Sequence, residues 1–230
     1  MFFDSKERAY IAPYGLFLAS ILVCELLSKI GAGYANSFFA KPMYWVYPLQ
    51  TVLCGWLLLH YWKHYIFRPL SGFGSALLIG MVVFVLWIAP QIWFGFAART
   101  VGFQPDYFSS LGFSPQYDQV SVGLRFFRLA VVVPLVEEIF WRGFLLRFLI
   151  KEDFSSVPFG AFQVRAFVIT SFAFCLEHQM QDWPAALLAG ALFNLVAVRT
   201  KSLLACVVAH GITNLALGIW IMQSKQWGFW

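Results

Sequence analysis

Long apolar runs alternate with short polar connections along most of the chain. A helix needs about 17–25 apolar residues to cross a bilayer. The pattern predicts an all-α, polytopic membrane bundle with seven transmembrane helices, and it favours one integral-membrane domain over residues 1–230. The two shortest runs lie between the fourth and the last. The runs cover residues 10–30, 43–62, 73–97, 124–150, 163–178, 183–198 and 202–222.

Two polar stretches interrupt this pattern. Residues 99–122 contain glycines, prolines and aspartates, which predict an extramembrane loop with room for a short interfacial helix. Residues 151–158 form a second polar connection. Since no internal repeat is evident, the chain does not have the inverted repeats typical of many secondary transporters.

Composition agrees with a membrane protein. Hydrophobic residues make up 60% of the chain and charged residues only 12%, whereas soluble proteins carry roughly 25% charged residues. The net charge of +5 comes from basic residues that flank apolar runs singly or in pairs, so nucleic acid is not an expected partner. Their distribution predicts an N-terminus on the inner side of the membrane. The four cysteines lie inside apolar runs, which predicts buried thiols and not disulfides or a zinc site.

The most unusual feature is a glutamate pair, Glu137 and Glu138, inside the apolar run 124–150. Each charge at the centre of a bilayer costs roughly 2.5–3.5 kcal/mol on insertion scales, so partners are expected. Glu138 and Arg142 are four residues apart and share a helix face, which predicts an ion pair. Glu137 is left as the spare carboxylate.

Three more polar residues fall in apolar runs: His178, His210 and Asn214. His210 and Asn214 are four apart and project from one face of a helix. A glutamate can deprotonate water, and imidazole and amide groups can donate hydrogen bonds to an oxyanion. Each residue alone has a simpler explanation, since a buried histidine is commonly a packing residue and an asparagine commonly joins two helices. By position, Glu177 is expected to face water at a helix end.

These residues form three motifs in order: Glu137-Glu138-x-x-x-Arg142, Phe174-x-x-x-His178 and His210-x-x-x-Asn214. Together they resemble the CAAX-prenyl-protease and bacteriocin-processing (CPBP, or Abi-like) family of intramembrane proteases over about residues 125–220. The Phe174–His178 stretch and the ending 227–230 are similar to a bacterial CAAX-protease-related subgroup that accompanies exosortase and PEP-CTERM sorting. The resemblance implies seven or eight helices around a polar cavity, with 125–220 as the catalytic core, and a prokaryotic cytoplasmic membrane as the location.

The resemblance also implies roles. Glu137 would activate water, His178 would orient that water, and His210 and Asn214 would stabilise the oxyanion. The site would be shaped by Glu138, Arg142 and Phe174. We expect no metal cofactor. The alternative is a divalent metal such as zinc held by Glu137, His178 and His210.

The expected function is therefore an intramembrane endopeptidase acting on membrane-associated proteins or peptides, with CAAX-like or sorting-tag sequences, in contact with the lipid bilayer. Two alternatives use the same residues without hydrolysis: a membrane scaffold or immunity protein on the same fold, and a proton-coupled carrier. A further alternative is a cysteine transpeptidase that uses Cys175 next to His178.

Overall fold

The computed structural model describes residues 5–31 and 41–230, and every regular element in these two ranges is helical. The prediction of an all-α fold is confirmed. All four cysteines are buried and unpaired, as predicted. The α-helices are α1 Ser5–Gly31, α2 Met43–His60, α3 Phe73–Trp93, α4 Tyr107–Ser110, α5 Pro115–Phe127, α6 Val133–Glu138, α7 Leu146–Phe148, α8 Val164–Leu176, α9 Trp183–Thr200 and α10 Leu203–Ser224.

Within the described residues, four helical segments are long and apolar enough to cross a membrane: Lys6–Gly31, Phe73–Trp93, Met180–Thr200 and Leu203–Ser224. The apolar helix Val164–Leu176 is shorter. The predicted run at 124–150 does not form one long α-helix, because π-helical turns divide it into short pieces. Large apolar side chains such as Leu22, Leu78 and Phe172 lie exposed on the outer helix surfaces, as lipid contact requires. The protein is an integral membrane protein.

The predicted loop at 99–122 is more helical than its composition indicates. It contains α4 and the first turns of α5. This helix begins at Pro115, whereas the predicted apolar run begins at residue 124. Proline fits the first turn of a helix, where its missing N–H needs no partner. The Asp118 carboxylate accepts from the backbone N–H groups of Phe108 and Ser109 at 2.8 and 3.1 Å, which fixes α5 against α4. The short helix for which the prediction left room is present as α4. The start of α5 carries no apolar signal and was not predicted.

Two π-helical segments, Arg128–Val132 and Ile139–Leu145, flank the short helix α6 that carries the glutamate pair. In the first segment the Val133 N–H donates to the Arg128 carbonyl. The next donor in that register would be Pro134, which has no N–H. The Leu129 carbonyl is therefore left for another donor, and the Asn214 amide of α10 supplies it at 2.9 Å. The proline thus explains a contact between α10 and the segment that leads to the glutamates.

Helix α10 packs against α3, α9 and the α6 region. Its start is capped by Ser202, whose side chain accepts from the Ala205 N–H at 3.2 Å. It approaches α3 closely at Gly80, whose carbonyl accepts from the Thr213 hydroxyl at 2.8 Å. This close contact positions the part of α10 that carries His210 and Asn214.

Gly80→Ala should separate α3 from α10. A Cβ at this position would lie 2.5 Å from the Ala209 carbonyl oxygen, so backbone has to move at a cost of about 1–3 kcal/mol. The matched control is Gly55→Ala in α2, where nothing lies within 4 Å. The free energy of unfolding in detergent micelles measures both. Equal stability of the two variants would contradict the close packing.

The loops gather at two ends of the bundle. At one end Tyr10 contacts Tyr65 and Phe154 from two different connections. At the other end Arg99 forms a bidentate ion pair with Asp182, at 2.6 and 3.0 Å. Glu137, His210 and Asn214 lie in helices between these ends, and His178 lies in the turn that follows α8.

Candidate active site

A cavity of about 340 Å³ lies between the helices. The structure brings together on its walls all four residues that the sequence predicts to be catalytic, Glu137, His178, His210 and Asn214, with Phe174 beside them. They come from α6, the end of α8 and α10. Residues from three separate parts of the sequence therefore converge on one space.

Glu138 and Arg142 form a buried ion pair next to His210. The Arg142 Nη1 donates to Glu138 Oε1 at 2.9 Å, and both side chains are completely buried. The contact predicted from their spacing is present. The same Glu138 oxygen also lies 2.9 Å from Nδ1 of His210. Because a carboxylate accepts, Nδ1 of His210 carries the proton of this hydrogen bond.

Arg142 uses its remaining donors to join further helices. Its Nε donates to Asn194 Oδ1 at 3.0 Å, and its Nη2 donates to the Gly190 carbonyl at 3.1 Å, both on α9. The Asn194 amide in turn donates to Ser171 Oγ on α8 at 3.0 Å. Arg142 also lies 4.9 Å from the centre of the Phe174 ring. These hydrogen bonds connect the segment after α6 to α9 and α8, while Glu138 Oε2 has no partner among the described residues.

Asn194 was missed by the sequence reasoning. It is fully buried and sits at the centre of the apolar helix α9. The sequence did contain a signal for it, since an amide inside an apolar run needs a hydrogen-bond partner just as the glutamates do.

Glu137 differs from Glu138 in its access to the cavity. It is 5% exposed and lines the cavity, whereas Glu138 is completely buried. Oε2 of each glutamate has no hydrogen-bond partner among the described residues. Glu137 shares the cavity wall with Glu177.

The expectation that Glu177 faces water is wrong. Its side chain is only 11% exposed, it lines the same cavity, and it accepts a hydrogen bond from the Tyr14 hydroxyl of α1. The Tyr14 ring is held by stacking on Phe140, with ring centres 4.0 Å apart. Because Glu177 lies at the end of a helix, its position suggested contact with solvent. In the structure α1 covers that end, and the local sequence pattern does not report such a tertiary contact.

His178 is fixed by its own helix. Its Nδ1 lies 2.9 Å from the Phe174 carbonyl, so Nδ1 carries a proton and the neutral ring presents Nε2 as an acceptor. The ring also packs edge-on against Trp87, with centres 5.2 Å apart. Phe174 contacts both histidine rings, at centre distances of 5.0 Å to His178 and 6.2 Å to His210.

Asn214 has a structural contact as well as a place on the cavity wall. One amide N–H of Asn214 donates to the Leu129 carbonyl. This is the contact between helices that the simpler explanation of this residue predicted. A side-chain amide has two N–H donors and one carbonyl acceptor. One donor therefore remains for a group inside the cavity.

The metal alternative requires ligands from Glu137, His178 and His210. Among residues 5–31 and 41–230, no three His, Cys, Asp or Glu side chains are grouped closely enough to hold a metal ion. In the described arrangement Nδ1 of both histidines is already hydrogen-bonded. A metal would therefore require Nε2 of both rings and a rearranged Glu137.

Residues 119–216 match the family model "Type II CAAX prenyl endopeptidase Rce1-like". The chain is similar to this family over the matched segment, which is a little under half of its length. The match includes all three motifs and confirms the predicted resemblance to CAAX proteases, and it supports peptidase activity in a membrane setting at the level of the family. No curated protein and no solved structure matches the chain. The more specific similarity to the exosortase-associated subgroup stays a prediction.

Proposed function

We propose that this protein is an intramembrane endopeptidase that hydrolyses peptide bonds of membrane-associated substrates with CAAX-like or sorting-tag sequences. The observation that supports this most is the single cavity shared by Glu137, His178, His210 and Asn214. The Rce1-like match over the same residues agrees with it. A proton-coupled carrier is a weaker candidate, since a buried carboxyl pair suits proton transfer but the amide and imidazole donors would have no use.

In the proposed reaction the Glu137 carboxylate removes a proton from water while the water oxygen attacks the peptide carbonyl carbon. His178 orients that water, because its Nε2 is the ring atom left to accept. The carbonyl oxygen becomes an oxyanion. The intermediate then collapses, the C–N bond breaks, and the proton passes from the glutamate to the leaving amine.

The oxyanion would accept from Asn214 and His210. Asn214 has one amide N–H left after its bond to the backbone. For His210, Nδ1 donates to Glu138, so its Nε2 donates only when the ring is an imidazolium. The Glu138 carboxylate orients the ring through this hydrogen bond. Glu138 would therefore support oxyanion binding through His210, and it would also neutralise Arg142.

The direct test uses purified protein in proteoliposomes with a library of membrane-tethered peptides, and mass spectrometry identifies the fragments. We expect cleavage at defined bonds. Treatment with a chelator, checked by elemental analysis, should leave the rate within about twofold if the reaction needs no metal. Loss of activity that zinc restores would favour the metal alternative. Transport of protons without any cleavage would favour the carrier.

We propose a prokaryotic cytoplasmic membrane as the location, with the N-terminus inside. The basic residues of the inner connections support this orientation. The active-site cavity would then extend toward the outer end of the bundle, where Arg99 and Asp182 line it.

A further inference from the structure

Two arginines lie on the cavity wall, and neither has a role in the reaction as described above. Arg125 comes from α5 and Arg128 from the π-helical segment that follows it. Both belong to the run that leads into the glutamate pair. Charged side chains at such positions are costly and normally pair with an opposite charge.

Arg125 has no such partner among the described residues. It is 6% exposed, its Nε is buried without a hydrogen bond, and no carboxylate of the described chain forms an ion pair with it. Its guanidinium is instead surrounded by aromatic rings, at 4.5 Å from the centre of Phe103, 5.4 Å from Tyr47 and 5.5 Å from Trp230. Aromatic faces stabilise a cation but leave its N–H donors unused.

Arg128 is only partly satisfied. Its Nε donates to Gln50 Oε1 at 2.7 Å, and its guanidinium lies 4.4 Å from the centre of the Tyr47 ring. No carboxylate of the described chain forms an ion pair with it either. Both guanidinium groups lie near the Tyr47 ring, at 5.4 Å for Arg125 and 4.4 Å for Arg128, and repulsion between like charges adds to the cost of leaving them without an anion.

The other charges on this cavity do not neutralise the two arginines. Arg99 and Asp182 pair with each other. Glu177 accepts a hydrogen bond from the Tyr14 hydroxyl. Glu25 is exposed on α1. Glu137 forms no ion pair with either arginine but lines the same cavity, so the arginines and the proposed general base face one continuous space.

We propose that Arg125 and Arg128 form a subsite for a carboxylate of the peptide being cleaved. This inference rests on the proposed peptidase function and specifies its substrate class. Two guanidinium groups suit a carboxylate, because each presents a planar array of donors. A carboxylate of the substrate, and not a separate anion, is favoured because the subsite and the Glu137 carboxylate share one cavity of about 340 Å³. The carboxylate has two sources, the free C-terminus of the peptide or an acidic side chain near the cleaved bond.

The first experiment needs no variant of the protein. One cleaved peptide is prepared with a C-terminal acid or a C-terminal amide, and separately with Glu or Gln at each position within three residues of the cleaved bond. We expect one of these neutralising changes to raise KM at least about tenfold, as loss of a charged hydrogen bond does. The change that has this effect identifies the source. If KM is the same for every member of the series, the proposal is wrong.

The second experiment assigns the effect to the two arginines. In Arg125→Gln and Arg128→Gln the KM of the acidic peptide should rise to that of its neutral counterpart, while the KM of the neutral peptide changes less than twofold. Arg125→Lys should retain part of the effect, since it keeps the charge but loses the planar donors. Arg165→Gln, an exposed arginine at the start of α8, is the matched control. Equal losses for acidic and neutral peptides would overturn the proposal.

Binding to Glu137→Gln separates this proposal from the proposed function. Fluorescence anisotropy with labelled acidic and neutral peptides measures the preference in the absence of any cleavage. A preference for the acidic peptide that Arg125→Gln removes would support the subsite even if no peptidase activity is found. If the arginine variants instead lose a dependence on phosphatidylglycerol in the vesicles, the subsite binds lipid phosphate and the carboxylate proposal fails.

Discussion

Glu137→Gln should reduce peptide hydrolysis by a factor of about 10²–10⁴, the usual contribution of a general base. The carboxamide has the shape of the carboxyl group but does not accept a proton from water. Since Glu137 is buried and its Oε2 makes no hydrogen bond to described residues, the change should leave the fold intact. Removal of a buried charge should keep the thermal unfolding midpoint unchanged or raise it. The measurements are kcat on the cleaved peptide and thermal unfolding in the same detergent.

Glu152→Gln is the matched control, because it makes the same chemical change at an exposed position outside the cavity. Full activity in Glu137→Gln would exclude the general-base role. Loss of activity together with a large fall in the unfolding midpoint would instead assign Glu137 to the structure. We expect an inactive protein that is at least as stable as the unmodified one. Replacing a purely structural carboxylate would not give this combination.

The sequence predicted the helical fold and the residues around the cavity for different reasons. Long apolar runs predict helices because a bilayer requires the backbone to bond internally. The site residues were predicted because charged and polar side chains are costly inside a bilayer. Asn214 and His210 followed from spacing, and the structure places both on the cavity wall with Glu137.

What the sequence did not predict depends on contacts between distant segments. Tyr14 of α1 and Glu177 lie far apart in the chain but are hydrogen-bonded, and no local pattern relates them. The π-helical turns around α6 were also missed, because hydropathy does not report hydrogen-bond register. The basic residues near the ends of the apolar runs were attributed to membrane topology. Arg125, at the start of the run 124–150, is one of them, and the structure buries it among aromatic rings on the cavity.

The second large effect should come from breaking the Glu138–Arg142 pair. Glu138→Gln leaves the Arg142 charge completely buried without its counter-ion, and loss of one partner of a buried pair costs about 3–5 kcal/mol. The free energy of unfolding in detergent micelles measures this cost. Asp182→Asn is the matched control, because its ion pair with Arg99 is partly exposed, at 11% for each side chain, and such pairs contribute about 1 kcal/mol or less.

A double variant distinguishes the charge effect from lost packing. Glu138→Leu with Arg142→Met removes both charges and keeps apolar volume, and such replacements commonly restore stability. We expect the double variant to be more stable than Glu138→Gln but still less stable than the unmodified protein, since Asn194 and the Gly190 carbonyl lose their donor. It should also be inactive, because His210 loses the Glu138 carboxylate to which its Nδ1 donates. A double variant no more stable than Glu138→Gln would show that the hydrogen bonds from Arg142 to α9, and not neutralisation of its charge, hold this part of the bundle together.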